Sequence, residues 1–325
     1  MRAVWPALWI NKFTEHNAWV ISAHEAGHPA HTDLVCKMDV VVFHKAHPAN
    51  LRLAHYAKAA GCTIIYDTDD LDTDAFNEFH TAYYVSDIAE SIEWFRSNSQ
   101  GFVVASRPLL DHYDGVMIEN GFDTTLPMFQ AHPEDYFHGN HGRHYKIAWG
   151  GSSTHARDMA MFYRLGVIEE ICNTLPVDFV LYGLEKGEFV KQFDKGKLIC
   201  KPLHPQGIEW YIYEYYYDAD ILIAPLIQDT FNDHRSTLKL VEAGIAGKTI
   251  VASNTRGYQA YRRDGVSLVD NTFDQWTTAL RELILNDALR DERSKFNMNA
   301  AYELYSAETL TQQRIEYFEE CNAKV

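Results

Sequence analysis

The sequence predicts an α/β protein with two parallel sheets, each covered by helices. Three observations carry this expectation. Short apolar, β-branched runs alternate with helical patterns along the chain, the signature of strand–helix–strand units. Residues 122–144 carry Pro127, Pro133 and four histidines but no period, and they split the alternation into two series. The length, 325 residues, suits two domains at roughly 150 residues each.

The first series opens at Asp39–Phe43, a run that suits a strand buried on both faces. Pro48 to Ala60 reads as a helix, with proline at its start, apolar residues at Leu51, Leu53, Ala54, Ala57 and Ala60, and Gly61 as its stop. Thr63–Tyr66 is the next strand and runs into the acidic stretch Asp67–Asp74. Phe102–Ala105 is a further strand, Arg107–Tyr113 a short helix, and Gly115–Ile118 a strand that ends at Asn120-Gly121. The second series has strands at Tyr145–Trp149, Asp178–Tyr182, Lys197–Cys200, Ile221–Ala224 and Thr249–Ala252. Helices lie between them, such as Ser236–Ala246. From Phe273 the pattern is helical, with segments around Trp276–Asn286 and Ala307–Asn322. The predicted organisation is an N-terminal domain over 1–122, a linker over 123–144, a C-terminal domain over 145–305 and a last helix over 306–325 that crosses back toward the first domain.

Composition excludes several classes. The longest apolar runs, Val40–Phe43 and Ile221–Leu226, fall far short of the ~20 residues that cross a bilayer, and the N-terminus lacks the h-region of a signal peptide. Net charge is −16, and residues 1–145 alone hold 9 Lys+Arg against 19 Asp+Glu. That balance disfavours nucleic acid and anionic lipid as long-range partners, although a local basic groove would suffice for DNA. Five scattered cysteines without a CxxC pair point to reduced thiols and a cytoplasmic location.

Ligands of open α/β sheets sit at the carboxyl ends of strands. Gly150-Gly151-Ser152 follows the first strand of the second series, where glycines let a backbone approach a ligand and the next helix can offer amides to phosphate. The spacing is not GxGxxG. The segment Asp220–Gly244 is the richest: a buried strand, Pro225, a polar loop and a helix capped by Ser236. On that helix Lys239 and Glu242 stand three apart and share a face. Arg235 and Lys239 near a helix N-terminus suit a diphosphate, and Glu242 suits ribose hydroxyls. A plain i,i+3 ion pair explains the same two residues.

With these residues together, the chain resembles the GT-B glycosyltransferases, in particular the retaining nucleotide-sugar enzymes of family 4. The resemblance runs through Val40–Phe43, Ile65–Asp70, Val116–Asp123, Ile147–Ser152 with His155 and Asp158, Ala219–Leu226, Phe231-Asn232, Ser236 with Lys239 and Glu242, Val251–Ser253 and Gly257-Tyr258. It implies two Rossmann-like domains facing a cleft, with a nucleoside diphosphate sugar (UDP-sugar favoured) held by the C-terminal one. It places the second acid of an E-x7-E motif at Glu242. The first acid is replaced by His234, which leaves Asn232, Asp233 or His234 to meet the sugar. Arg157, Arg235 and Lys239 are the candidates for the diphosphate. The acceptor stays open: a glycan, a small molecule, a protein or a hydroxymethylated DNA base of a virus.

Two further motifs have competing readings. Asp67, Asp69 and Asp70 look like a DxD metal site, yet a GT-B donor is held in the other domain without metal. The favoured reading is an acceptor-side loop in which Asp69 or Asp70 orients or deprotonates a hydroxyl. His24-Glu25-Ala26-Gly27-His28 is a literal HExxH, the zinc metalloprotease signature. Pro29 follows at once and would break a helix at the second ligand, while Ala18–Ser22 reads as a strand. The other reading is a loop that places His24 or His28 near the sugar. No required metal is predicted, and a catalytically dead GT-B binding protein is the third alternative, suggested by His234.

Overall fold

The computed structural model describes residues 2–22, 25–71, 88–125, 144–184, 187–202, 216–261 and 265–324. Most of the predicted linker, His24 and the end of the acidic stretch lie outside these residues. Contacts divide the chain into two compact units. The first comprises residues 1–123, 234–236 and 305–325; the second comprises 124–233 and 237–304.

The first unit contains α1 (Val4–Phe13), α2 (Pro29–Val35), β1 (Val40–His44), α3 (Pro48–Ala60), β2 (Thr63–Thr68), α4 (Ile88–Asn98), β3 (Gly101–Val104), α5 (Arg107–Leu110) and β4 (Val116–Met117). Its four strands are all parallel, in the order β1-β2-β3-β4. The signals for α3 hold at both ends. Pro48 opens it, His47 Nδ1 accepts from the Ala49 amide, and Gly61 closes it at φ 83°, a left-handed conformation that favours glycine. β2 is buried along its whole length. The C-terminal helix, Ala307–Asn322, belongs to this unit and packs Leu310 and Cys321 against Ile65, Val103 and Ile118. Gly101 permits the approach, since a Cβ there would stand 2.7 Å from Cys321 Sγ.

The second unit contains β5 (Tyr145–Gly150), α6 (Ala156–Arg164), α7 (Val167–Thr174), β6 (Val177–Tyr182), β7 (Phe189–Gln192), β8 (Lys197–Lys201), β9 (Ile221–Ala224), α8 (Thr230–Asp233), α9 (Leu238–Ile245), β10 (Thr249–Ser253), α10 (Arg256–Gln259), β11 (Val266–Val269), α11 (Phe273–Leu285) and α12 (Asp287–Leu304). Its sheet runs β11-β10-β9-β5-β6-β8-β7, parallel except for β7 at the edge. Trp276, Phe162 and Phe179 centre the core on one face.

Both sheets are thus covered α/β layers of Rossmann type, as the alternation predicts. The structure adds strands β7 and β11 and helices α1 and α4, which the sequence reading does not contain, and it differs from that reading elsewhere. Residues 18–22 form no strand. The α9 N-cap is Thr237 rather than Ser236, and its side chain makes no capping bond. The 18-residue helix α12 fills the stretch between the two segments named in the helical tail from Phe273. Among the described residues no helix is long and apolar enough to cross a membrane, and none of the five cysteines forms a disulfide.

Candidate functional site

The strand order of the second sheet reverses between β5 and β9, the position where open α/β sheets form a ligand crevice. Gly150 ends β5, and Pro225 follows β9. Asp158, on α6, ties the two loops together. Its Oδ1 accepts from the Ile227 amide at 2.8 Å and from Asn232 Nδ2 at 3.1 Å, while Oδ2 meets His155 Nδ1 at 3.0 Å. Asn232 is buried, and its Nδ2 also donates to the Ile227 carbonyl at 2.9 Å. The predicted sugar contact Asn232 therefore sits in α8 with both its amide hydrogens committed to the loop and to Asp158. On the other flank, Ser253 Oγ accepts from the Leu226 amide, and Asn271 bonds both Ser253 and the Leu226 carbonyl. The β9 loop is held from both sides before any ligand arrives.

Gly151 has a structural reason to be glycine. An added Cβ would stand 2.6 Å from Trp149 Cζ2 and 3.1 Å from His155 Cδ2. Ser152 is exposed and bonds Thr154, and Arg157 is exposed on the first turn of α6.

Lys239 and Glu242 do share a face of α9, and they meet. Lys239 Nζ lies 2.7 Å from Glu242 Oε2, with the Tyr216 hydroxyl 3.3 Å from Nζ and 3.4 Å from Oε2. Glu242 is fully buried, and its Oε1 has no hydrogen-bond partner among the described residues. A buried carboxylate oxygen left unsatisfied is costly, and a ligand hydroxyl that donated to it would remove the cost. α9 is seated deeply because Gly244 lets α12 approach: a Cβ there would be 2.6 Å from Ala301 Cβ.

The carboxyl ends of the first sheet carry a different chemistry. Asp67 is buried and paired with Arg2 at 2.6 Å and with His44 at 3.0 Å. Burial alone would raise its pKa, but Arg2 and His44 outweigh it and hold the carboxyl well below the usual carboxylate range. Lys45 reaches Asp69 at 3.0 Å and Asp70 at 2.6 Å. Burial opposes its charge, yet the two carboxylates raise its pKa, and Lys45 in turn lowers that of Asp69. Lys45 holds a φ of 64°, the one positive φ outside glycine among the described residues. Arg235 lies 3.9 Å from Asp70. Three carboxylates thus face Arg2, Lys45 and Arg235, and the acidic cluster is internally neutralised.

Residues 234–236 belong to the first unit by their contacts, and three strand ends of its sheet hold them. Asp70, after β2, faces Arg235. Ser106, after β3, donates to the His234 carbonyl at 2.7 Å. Asn120, after β4, donates to Ser236 Oγ at 2.9 Å. The His234 ring stands 6.4 Å from that of His112, whose pKa is lowered by burial, Arg96 and His234. Sequence reasoning missed Arg2, Lys45, Ser106 and Tyr216 altogether. Asn120 enters the sequence reading only as the end of a strand and within the Val116–Asp123 stretch of the resemblance.

The HExxH segment does not form a metalloprotease helix. His24 lies outside the described residues, Glu25 stands in a turn, and His28 is the exposed N-cap of α2, its Nδ1 accepting from the Ala30 amide. Pro29 starts a helix rather than ending one, as its fixed φ suits. Among the described residues no three or more His, Cys, Asp or Glu side chains are placed to hold a metal ion.

Two Rossmann-like α/β units in one chain, with a switch-point crevice in the second, define the GT-B fold. Solved structures that share it include Anabaena HepE in complex with UDP and glucose (TM-score 0.64, 12% identity, 89% of this chain and 80% of that one). Sucrose-phosphate synthase from Thermosynechococcus elongatus matches at TM-score 0.63 and 12% identity over 93% of this chain and 76% of that one. A glycosyltransferase from Rickettsia africae matches at TM-score 0.59 and 12% identity over 96% and 86%. At such identity the likeness establishes the fold. No protein-family model matches the chain, and no curated protein matches it.

Proposed function

We propose that the chain is a glycosyltransferase that moves a sugar from a nucleoside diphosphate donor, a UDP-sugar first among them, to an acceptor hydroxyl. One observation carries the reading: the fully buried Glu242 on α9, beyond the switch-point strand β9, with Lys239 on one oxygen and, among the described residues, no hydrogen-bond partner on the other. Ribose hydroxyls would satisfy Oε1. Breaking the anomeric bond develops negative charge on the diphosphate, and Lys239, Arg235 and the first amides of α9 are the groups to stabilise it. HepE, which shares the fold, has been solved with UDP and glucose and with UDP-glucose. Asp69 and Asp70 serve the acceptor in this scheme, and five cysteines outside any disulfide suit the cytoplasm.

A thermal-shift screen across UDP-, GDP-, ADP- and TDP-sugars tests the donor. A ligand at 100 times its Kd should stabilise the chain by about 2.7 kcal/mol. No shift with any of them would overturn the proposal. Glycans, small alcohols and hydroxymethylated DNA then form the acceptor panel. The second reading, a binding protein without catalysis, is favoured by His234 at the position of the first acid. Nucleotide binding with neither transfer nor donor hydrolysis would select it.

A further inference from the structure

We infer that Asn120 is a positioning residue for the donor, turning the Ser236 hydroxyl so that its proton is presented to the diphosphate; this rests on the nucleotide-sugar reading above. The argument begins at Asp67. Its carboxylate takes Nε and Nη2 of Arg2, which leaves Nη1 to reach the Ile118 carbonyl at 2.9 Å and Asn120 Oδ1 at 3.3 Å. A guanidinium can only donate, so the Asn120 oxygen must face Arg2 and its NH2 must face Ser236. That amide donates to Ser236 Oγ at 2.9 Å. Ser236 therefore accepts from Asn120, and its own O–H points elsewhere.

Arg2, Asp67 and Asn120 are all buried, so the relay cannot exchange its partners for water. The peptide around Ser236 is fixed as well, through Ser106 on His234 and Asp70 beside Arg235. Ser236 immediately precedes Thr237, the N-cap of the helix that carries Lys239 and Glu242. A hydroxyl proton offered next to that helix start matches an anionic ligand and not a cation.

Asn120→Asp keeps the size and the contact with Arg2 but can only accept, so it would draw the Ser236 proton to itself. Calorimetry with UDP and with uridine is the measurement. The Asp variant should bind UDP about ten-fold more weakly, as for a lost hydrogen bond to a charged group, and bind uridine as the parent does. Ser236→Ala should lose a similar factor, and Ser236→Thr, which keeps the hydroxyl, should recover it. In the Ser236→Ala background Asn120→Asp should add nothing. If Asn120→Asp fails to fold, the Ser236 pair decides alone. Unchanged UDP affinity in Ser236→Ala, equal losses for UDP and uridine, or full additivity of the two changes would overturn the inference while leaving the donor reading intact. A parent chain that bound no nucleotide would remove both.

Discussion

Arg2 grips both oxygens of Asp67, with Nε 2.6 Å from Oδ1 and Nη2 2.9 Å from Oδ2. Both side chains are 3% exposed. Removing one partner of such a pair strands the other charge in a buried site, at a cost of about 3–5 kcal/mol. Asp67→Asn should lose that much in denaturant unfolding at pH 7, and a loss under about 1 kcal/mol would contradict the assignment. The pH dependence follows from the lowered pKa of Asp67. Its contribution is complete above the unfolded value near 3.9 and is lost as pH falls through that value toward the lower folded one. The variant should therefore lose less stability than the parent between pH 5 and pH 2.

Lys248 gives the opposite slope. It is 6% exposed, and burial lowers its pKa to about 8 against the pull of Asp220 and Asp218. Between pH 8 and about 10 the unfolded chain, with a lysine near 10.4, holds more protons than the folded one. Lys248 therefore makes stability climb with pH in that window. Lys248→Met should remove the climb and be more stable than the parent at pH 7, by about 1–3 kcal/mol. Parallel pH–stability curves for parent and variant would refute it.

Much of the fold was legible where its signals were apolar. Strands β1, β2, β9 and β10 are runs rich in apolar and β-branched residues, and α3 carried proline and glycine at its two ends. Helix α12 was not legible as a segment of its own because its buried stripe is polar. Arg290, Ser294, Asn297 and Ala301 recur at helical spacing, and three of them bond backbone: Arg290 to Leu283, Ser294 to Thr249, and Asn297 to Lys248. Hydrophobic periodicity cannot see such a stripe. At the site, Lys239 and Glu242 were visible because a helix fixes which residues share a face. Arg2 was not, because it bonds Asp67 across 65 positions and nothing local marks it. The ion pairs of the acidic cluster were hidden for the same reason: its cations, Arg2, Lys45 and Arg235, come from distant segments.

Gly151 should tolerate no side chain. Its added Cβ meets the ring of Trp149, which is itself 2% exposed and cannot yield. Overpacking of this kind costs about 1–3 kcal/mol. Gly151→Ala should lose that stability and also weaken UDP, since the crowding falls on the loop that ends β5. Gly166→Ala is the control. It strains a residue at φ 78° but meets nothing within 4 Å, so it should cost stability and leave UDP affinity unchanged. Equal effects of the two on UDP would show that the β5 loop takes no part in binding.

The last prediction separates donor from acceptor chemistry. Glu242 is in the second unit, on the helix proposed for the donor, while Asp69 follows β2 in the first. Asp69 is paired with Lys45, whose left-handed φ of 64° is a strained conformation of the kind that recurs at functional positions. Asp69→Asn keeps the shape and removes a charge that could take or orient a proton of the acceptor. It should lower turnover by about 100-fold or more, within the range typical of general acid–base groups, and leave the Kd for UDP nearly unchanged. Glu242→Ala should instead weaken UDP by at least about ten-fold, because charge-assisted bonds to the ribose are worth roughly 1.5–3 kcal/mol. Calorimetric Kd beside turnover for each variant gives the answer. If Asp69→Asn abolished UDP binding as thoroughly as Glu242→Ala, Asp69 would be a donor residue and its acceptor role would be wrong.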